Sequence, residues 1–434
     1  MTGLTRAKDL TVLLIGKGAR EHALAWKLSE APSVKKVLVF PGNGGTQRGN
    51  EKISNLEPDI EPTNYLELAR IAADIGVGLA VVGPDDAVVD GIESFFRQAG
   101  IPCFAPTKEA AELEGSKAFA KNFMKRHDIP TAAYQSFDDL ERAKTYVQQA
   151  DHRVVIKADG LAAGKGVVLP GTKEEAIAEL ESIMKPGGKF AAAGTSVVIE
   201  EFMEGDEISI LTFSDGKTFQ SLPPGQDHKR IFEGNKGPNT GGMGVYSPVP
   251  FATQEILDEI DRSILQPTFE GLREEGRPFV GLLFTGVMIT SHGPKVIEYN
   301  VRFGDPETQS AMMLLSLETD LADIFLACSS GTLEQVKIGI RIGYACNVVI
   351  ASQGYPGKYA TGEQINLRPY HKDVQVFHAG TYRDDEGQLR TGGGRVISVA
   401  AWGNTLEEAV KLAYESVQGI HFEGMFFRKD IAAR

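Results

Sequence analysis

Cysteine is scarce in this 434-residue chain: Cys103, Cys328 and Cys346 are odd in number, far apart and without metal-ligand spacing. That excludes a disulfide framework and a thiolate metal centre, and predicts three buried, reduced thiols. Long apolar runs are lacking as well. Nothing approaches the roughly 20 residues of a membrane span. The first residues, with Arg6, Lys8 and only Val12–Ile15 as an apolar block, have no signal-peptide core. The expectation is a cytoplasmic protein with no membrane partner. Positive charge is in deficit, with 45 Lys and Arg against 58 Asp and Glu and a formal net charge of −13, which excludes a general nucleic-acid binder. Glycine, by contrast, is plentiful. The 48 glycines make up about 11% of the chain against a usual ~7%, and they cluster. The remaining composition, 42% hydrophobic and 24% charged, is that of a globular protein whose length suggests about three domains.

From Thr11 to Phe104 short apolar runs alternate with helical periodicity. Strands are expected at Thr11–Ile15, Lys36–Phe40, Leu79–Val82 and Pro102–Phe104, with helices from about Glu21, near Tyr65–Ile75 and near Val88–Ala99. That alternation predicts a parallel, Rossmann-like sheet. Pro106–Gly115 reads as a linker, followed by a helix around Glu114–Arg126. Strands then come in hairpins: Val154–Lys157 with Val167–Leu169, and Glu207–Thr212 with Thr218–Leu222 around Asp215-Gly216. Pro223–Ser247 carries six glycines and no apolar periodicity, so it is either functional or disordered. A helix around Ile256–Glu275 leads to a central hairpin, Phe279–Thr290 and Lys295–Phe303, and a helix from about Pro306. Strands at Ala345–Ser352, Gln375–Thr381 and Arg395–Ala401 follow, with a helix that Thr405 and Glu408 open as a capping box. No internal repeat or low-complexity tract is present.

Four constellations bear on chemistry. Gly16–Glu21 (GKGARE) follows a strand and opens a helix, a place for a phosphate or simply a tight turn. Glu21 replaces the third glycine of a dinucleotide fingerprint, which weakens a nicotinamide oxidoreductase reading. Gly160–Gly166 (GLAAGKG) is one residue short of a Walker loop, has Gly166 where Ser or Thr would meet Mg²⁺, and precedes a strand. It suits a glycine-rich flap over phosphates with Lys157 beside it, the alternative being an idle surface hairpin. In Lys295–Phe303, period 2 places Glu298, Asn300 and Arg302 on one face and Ile297, Tyr299, Val301 and Phe303 on the other. A carboxylate and an amide oxygen are hard ligands for Mg²⁺, and Arg302 can fork onto phosphate. Asp305 and Glu307 follow at a helix start. The long loop carries Gln226–Arg230 (QDHKR) and Gly237–Gly244 (GPNTGGMG), either a solvated charge run or a substrate-ordering loop.

Together with Gly18–Ala25 (GAREHALA), Pro41–Thr46 (PGNGGT), Leu113–Lys121 (LEGSKAFAK), Ile156–Val167 (IKADGLAAGKGV) and Arg302–Gln309 (RFGDPETQ), these motifs resemble the ATP-grasp superfamily. Within it they are similar to the phosphoribosylamine–glycine ligase family, from about Val12 to the end. The resemblance implies a multidomain α/β and α+β chain: a Rossmann-like domain over 1–112, a two-part ATP-grasp module over 113–332 with a mobile lid near 133–203, and a small C-terminal α/β domain over 333–434. It implies that Lys117, Lys157, Gly160, Gly164, Lys165 and Gly166 contact ATP phosphates, Glu200, Glu201, Phe202 and Met203 grip adenine, and Glu207 takes the ribose. Glu298 and Asn300 would hold Mg²⁺ or Mn²⁺. Gly286 stands where many ATP-grasp enzymes have another carboxylate.

Arg302, Lys157, Asp227 and Lys229 are the implied catalytic set. Substrate contacts are assigned to Gly18, Arg20, Glu21, Asn43, Gly44, Gly45, Asp85, Asp227, Lys229, Asp305, Pro306, Glu307, Gly394 and Arg395. Asp85 replaces the Glu usual in the family, which shortens its reach. The implied substrates are ATP, glycine and 5-phosphoribosylamine, joined through a glycyl phosphate into glycinamide ribonucleotide for purine synthesis, in a module often fused to later purine-pathway domains. Because most of these substrates are anionic, a locally basic cleft is expected. A ligase using formate or bicarbonate, and a catalytically silent nucleotide-binding module, are the competing readings.

Overall fold

The computed structural model describes residues 9–433 apart from 49, 162–165 and 186, so the expected flap residues Gly164 and Lys165 lie outside the described residues. The N-terminal sheet is parallel, in the order Ile53–Asn55, Val34–Pro41, Leu10–Gly16, Leu79–Val82 and Cys103–Phe104. Its strands are unbroken apolar runs because both faces are covered. Val12 and Leu14 pack under the helix Ala19–Glu30, whereas Leu13 and Ile15 face the helices that carry Leu68, Val88 and Phe96. The chain order turns between Leu10–Gly16 and Leu79–Val82, so Gly16 and Gly83 end strands at the switch point where such sheets open a crevice.

Two expectations here are corrected. The single helix near Val88–Ala99 is two, Asp85–Asp90 and Ile92–Gln98, because Gly91 at φ +89° closes the first and starts the second. The linker Pro106–Gly115 is instead largely a helix, Lys108–Gly115, capped by the Thr107 hydroxyl, which accepts the Ala110 N–H at 3.4 Å. Ala110, Ala111 and Leu113 bury its inner face.

The central region holds two antiparallel sheets. One runs Tyr134–Phe137, Val197–Glu201, Val154–Ala158, Val167–Val168; the other Phe219–Ser221, Asp206–Asp215, Val280–Thr290, Gly293–Asn300. The Val296 N–H, donating to the Pro130 carbonyl at 2.7 Å, links their supports. The strand bearing Glu298 ends at Asn300, three residues earlier than expected. A register shift between Gly286 and Val287 pairs Gly286 with Glu298 and Val287 with Val296, leaving Ile297 as the extra residue. Ile297 therefore lines the cleft instead of sharing the core face with Tyr299. Phe303 anchors the next turn in a cluster with Phe104, Phe213 and Phe325, the Phe104 and Phe325 rings stacking at 4.1 Å.

Pro223–Ser247 is ordered. Gln226–Asp227 and Gly244–Ser247 pair and extend the sheet formed by Tyr344–Ser352, Arg395–Gly403 and Val374–His378, while Arg230–Phe232 and Lys236–Asn239 form a hairpin between them. The expected helix Ile256–Glu275 is present as Gln254–Ile260 and Gln266–Glu274 around a π turn, Asp261–Leu265. Pro267 lacks the N–H that would close an α turn there. Thr405 caps Leu406–Val417 as expected, its hydroxyl accepting the Glu408 N–H at 3.2 Å. Cys103, Cys328 and Cys346 are all buried thiols. Among the described residues no helix is long and apolar enough to cross a membrane.

Candidate functional site

Both central sheets, the long loop and the start of the helix Lys117–Arg126 line one cleft of about 590 Å³. Of the residues expected to act, Lys117, Lys157, Gly166, Glu200, Glu201, Phe202, Met203, Glu207, Asp227, Lys229, Glu298, Asn300, Arg302, Asp305, Glu307 and Asp85 all face it.

Three of its lysines are paired with carboxylates and one with a backbone carbonyl. Lys157 is buried, its Nζ 2.9 Å from Glu200 Oε1 and donating to the Ile297 carbonyl at 2.9 Å. Glu200 is shared: its Oε2 lies 2.8 Å from Lys121 Nζ. Burial lowers the Lys121 ammonium to about 8 in spite of that partner. Lys117 Nζ donates to the Gly160 carbonyl at 3.2 Å. Lys229 pairs with Glu207 and lies 3.7 Å from Glu298 Oε1.

Arg302 is set in a fork, Nη2 donating to Asn300 Oδ1 at 3.0 Å and 3.1 Å from Glu114 Oε1, Nη1 donating to the Phe303 carbonyl at 3.1 Å. Its buried Nε has no hydrogen-bond partner. Glu114 also accepts the Val301 N–H at 2.6 Å, so this buried carboxylate fixes the strand end that presents Arg302. Neither Lys121 nor Glu114 was assigned a role from sequence, although both lie in the segment Leu113–Lys121. The available signal was charge at otherwise apolar helical positions, which sequence alone does not distinguish from a solvated face.

Glu298 and Asn300 share the cleft face. Burial alone would raise the Glu298 pKa, but Lys229, Lys157, Lys117 and Arg302 outweigh it and hold it at about 2. An ionised carboxylate and an amide oxygen suit a hard divalent cation whose other ligands come from phosphate and water. Among the described residues no three His, Cys, Asp or Glu side chains are grouped to hold a metal, in keeping with Gly286 opposite Glu298.

The expectation of a basic cleft is corrected. Among the described residues nine Asp and Glu side chains line it against six Lys and Arg. Lys121, Lys157, Lys229 and Arg302 are fixed in low dielectric by ion pairs instead of being massed, since unpaired buried ammonium groups would lose their protons or repel one another.

At the other end of the cleft Asp305 sits between Arg395 and Arg20. Arg395 Nη1 lies 3.4 Å from Asp305 Oδ1 and donates to the carbonyls of Asp305 and Gly241 at 2.8 Å each. Arg20 donates to Glu21 Oε1 at 2.5 Å and to the Phe303 carbonyl at 3.0 Å. Burial, followed by the charge of Glu307, raises the pKa of Asp227, and burial raises that of Glu307. Asp227 Oδ1 is buried and accepts no hydrogen bond.

A carboxyl whose pKa the fold raises stabilises the protein at low pH, and that contribution is lost as pH climbs through the raised value. Asp227→Asn is therefore expected to raise the Tm by ~2 °C at pH 8, with the advantage shrinking toward pH 4. Thermal denaturation at both pH values checks this; a Tm below wild type at pH 8 would show that Asp227 is held ionised at no cost.

The remaining expected contacts do not line the cleft. Glu21 folds back so that the Gly18 N–H donates to its Oε2 at 2.6 Å, occupying a donor that a phosphate at this turn would need. Asn43 spends its side chain on the fold, donating to the carbonyls of Lys17 at 3.0 Å and His378 at 2.8 Å and accepting the Gly45 N–H at 2.8 Å. The Gly44 N–H donates to the Thr381 carbonyl at 3.0 Å, so Asn43–Gly45 joins the N-terminal sheet to the C-terminal region. Pro306 accepts from Asn347 Nδ2 at 3.4 Å, and Gly394 leaves room for the rings of Tyr355 and Tyr359. His228 is buried in the loop and accepts the Ala432 N–H at 3.3 Å.

Comparison with known proteins gives a consistent picture. Residues 10–114 match the phosphoribosylglycinamide synthetase N domain, residues 115–308 its ATP-grasp (A) domain and residues 345–434 its C domain. The chain is 52% identical over 426 residues to a bifunctional purine biosynthetic protein of Schizosaccharomyces pombe, covering 98% of this chain and 54% of that protein. It spans about half the length of the fungal relatives it matches. It is 46% identical over 428 residues to the phosphoribosylamine–glycine ligase of Vibrio cholerae, covering 98% of each. The crystal structure of phosphoribosylamine–glycine ligase from Thermotoga maritima aligns with a TM-score of 0.82 at 34% identity, covering 97% of this chain and 100% of that one.

Proposed function

Since this chain belongs to the phosphoribosylglycinamide synthetase family, we propose that its cleft joins glycine to 5-phosphoribosylamine with ATP, giving glycinamide ribonucleotide, ADP and phosphate in purine synthesis. The observation that carries this reading is the convergence of Glu298, Asn300 and Arg302 with Lys117, Lys157 and Lys229 on one cleft between two antiparallel sheets. The working division is 1–112, 113–332 and 333–434, in a cytoplasmic protein, with further purine-pathway domains in longer chains.

A carboxylate and an amine do not condense usefully in water. The glycine carboxylate attacks the γ-phosphate, the O–P bond to ADP breaks, and the resulting glycyl phosphate carries a good leaving group. The amine then attacks the acyl carbon, loses a proton, and phosphate departs. No protein nucleophile is required. Lys117, Lys157 and Arg302 face the phosphoryl oxygens, where fixed charges in low dielectric stabilise the transferring group. Glu200–Met203 grips the adenine and Glu207 the ribose. Asp227, with its unsatisfied oxygen, and Glu307 suit the glycine ammonium or the substrate amine. A divalent cation, Mg²⁺ or Mn²⁺, on Glu298 and Asn300 would supply neutralisation of the phosphate charge.

Measured ADP release with each substrate omitted in turn, and with formate or bicarbonate replacing glycine, tests the reading. Release that requires both glycine and phosphoribosylamine, with glycinamide ribonucleotide found by mass, supports it; release with another acid, or none at all, overturns it.

The ligand face carries its own expectation. A Cβ built at Gly286 meets nothing closer than Glu298 Cγ at 3.5 Å, so an aspartate fits there. Gly286→Asp should tighten Mn²⁺ binding to the nucleotide-free protein about tenfold, read by isothermal titration. Unchanged affinity would show that this face does not receive the cation.

A further inference from the structure

Arg428 is 1% exposed, yet it carries a full charge on a segment that is neither strand nor helix. Its Nε and Nη2 donate to Asp430 Oδ1 and Oδ2 at 2.7 Å each. Its Nη1 donates to the Arg230 carbonyl at 2.9 Å and to Asn235 Oδ1 at 3.2 Å. Both of the latter acceptors belong to the hairpin Arg230–Asn239, and Arg230 and Asn235 line the cleft.

The surroundings tie the same two segments together. Asp430 Oδ2 accepts the Gly234 N–H at 2.8 Å, and the Ala432 N–H donates to His228 Nε2 at 3.3 Å. On the opposite side Tyr414, on the helix Leu406–Val417, donates its hydroxyl to the Arg428 carbonyl at 2.8 Å and accepts the Ile431 N–H at 3.0 Å. The segment Arg428–Ala432 is thus bolted to the C-terminal helix and reaches across to the cleft loop.

The hairpin's own ladder is short, pairing Arg230 with Asn239 and Phe232 with Lys236. Its apolar anchorage is one buried side chain, Ile231, beside Met243 and Ala351, with the ring of Phe232, itself 53% exposed, edge-on to Phe426. A two-stranded hairpin of this size is marginal in water. A rigid planar fork that engages a carboxylate on one edge and two hairpin acceptors on the other is something a guanidinium can do and an ammonium cannot. The Arg230 carbonyl it grips lies one residue from Lys229, whose ammonium reaches Glu207 and approaches Glu298.

We propose that Arg428 is a positioning residue: clamped by Asp430, it orders the hairpin Arg230–Asn239 and thereby aims Asp227 and Lys229 into the cleft. The kinetic consequence rests on the ligase reading; the ordering does not. The test uses the full chain carrying Arg428→Lys, which keeps the charge and loses the fork. Hydrogen exchange is followed over 226–244 beside kcat, the KM values and the Kd for ATP.

Expected are faster exchange confined to 226–244 and a drop in kcat of about 10-fold, with ATP affinity changed far less. Unchanged exchange over 226–244, or faster exchange spread through the whole chain with equal losses in every constant, overturns the clamp. A wild-type protein without ligase activity would sink the functional reading, while the exchange data still decide the clamp. If Arg428→Lys does not fold, Asp430→Asn, at a position 26% exposed, carries the same exchange test with the same two outcomes.

Discussion

Exchanging Glu298 for glutamine is expected to lower kcat about 10³-fold while leaving the fold intact. The substitution is isosteric, so what it removes is one negative charge. That charge is present throughout the working range, because Lys229, Lys157, Lys117 and Arg302 outweigh the burial that opposes it and hold the carboxyl at about 2. Without it the ammonium of Lys229, 3.7 Å away, loses one of its two ion-pair partners among the described residues and keeps Glu207, and the face shared with Asn300 loses its anionic oxygen. An amide oxygen on Asn300, already engaged by Arg302, is a weak substitute.

Stability changes with a definite sign. A carboxyl whose pKa is depressed contributes stability above the ordinary carboxylate range, and the contribution is lost as pH falls toward the depressed value. Glu298→Gln should therefore be less stable than wild type at pH 7 by on the order of 2 kcal/mol, allowing for partial exposure. The difference should close between about pH 4.5 and pH 2. A kcat within tenfold of wild type, at saturating Mg²⁺ and ATP, would remove Glu298 from the metal site.

Those residues were legible before any fold was known because strand periodicity is local: Glu298, Asn300 and Arg302 alternate with core residues over a few positions. The parallel sheet was legible for the same reason, its strands being short unbroken apolar runs. What escaped was set by distant chain. Glu114 reads as a linker residue until Val301, 187 residues away, donates its N–H to it. Lys121 reads as a solvated helical lysine until Glu200 arrives. The bulge that turns Ile297 into the cleft depends on register with Val280–Thr290, which no local pattern encodes. The charge of the cleft was misjudged for a related reason. Substrate charge indicates that cations are needed, but only the packed structure shows that Lys121, Lys157, Lys229 and Arg302 are each held by a carboxylate.

Lys157→Met is expected to have the second large effect, and a companion variant separates its causes. The ammonium is buried and has two neighbours, Glu200 Oε1 and the Ile297 carbonyl, each at 2.9 Å. Methionine fills the volume and supplies neither charge nor donor. Glu200 is then left with Lys121 alone, 2.8 Å from its other oxygen, and the Ile297 carbonyl loses a donor in a desolvated place.

Removing one partner of a buried ion pair costs about 3 kcal/mol, and removing a phosphate-facing charge costs about 10³-fold in kcat/KM for ATP. These two losses have different owners. The stability loss belongs to the Glu200 oxygen and the Ile297 carbonyl left without a donor; an amide at 200 keeps an acceptor for Lys121 and puts an N–H donor where that oxygen stood, so Lys157→Met with Glu200→Gln should recover part of the Tm. The catalytic loss belongs to the missing ammonium, so the double variant should turn over no faster than Lys157→Met alone. If Glu200→Gln restored turnover together with Tm, Lys157 would be a structural counter-ion to Glu200 and the charge acting on the phosphates would have to come from Lys117 and Lys229. If it restored neither, Lys121 alone would already neutralise Glu200, and the shared carboxylate would not be what holds the two lysines in place.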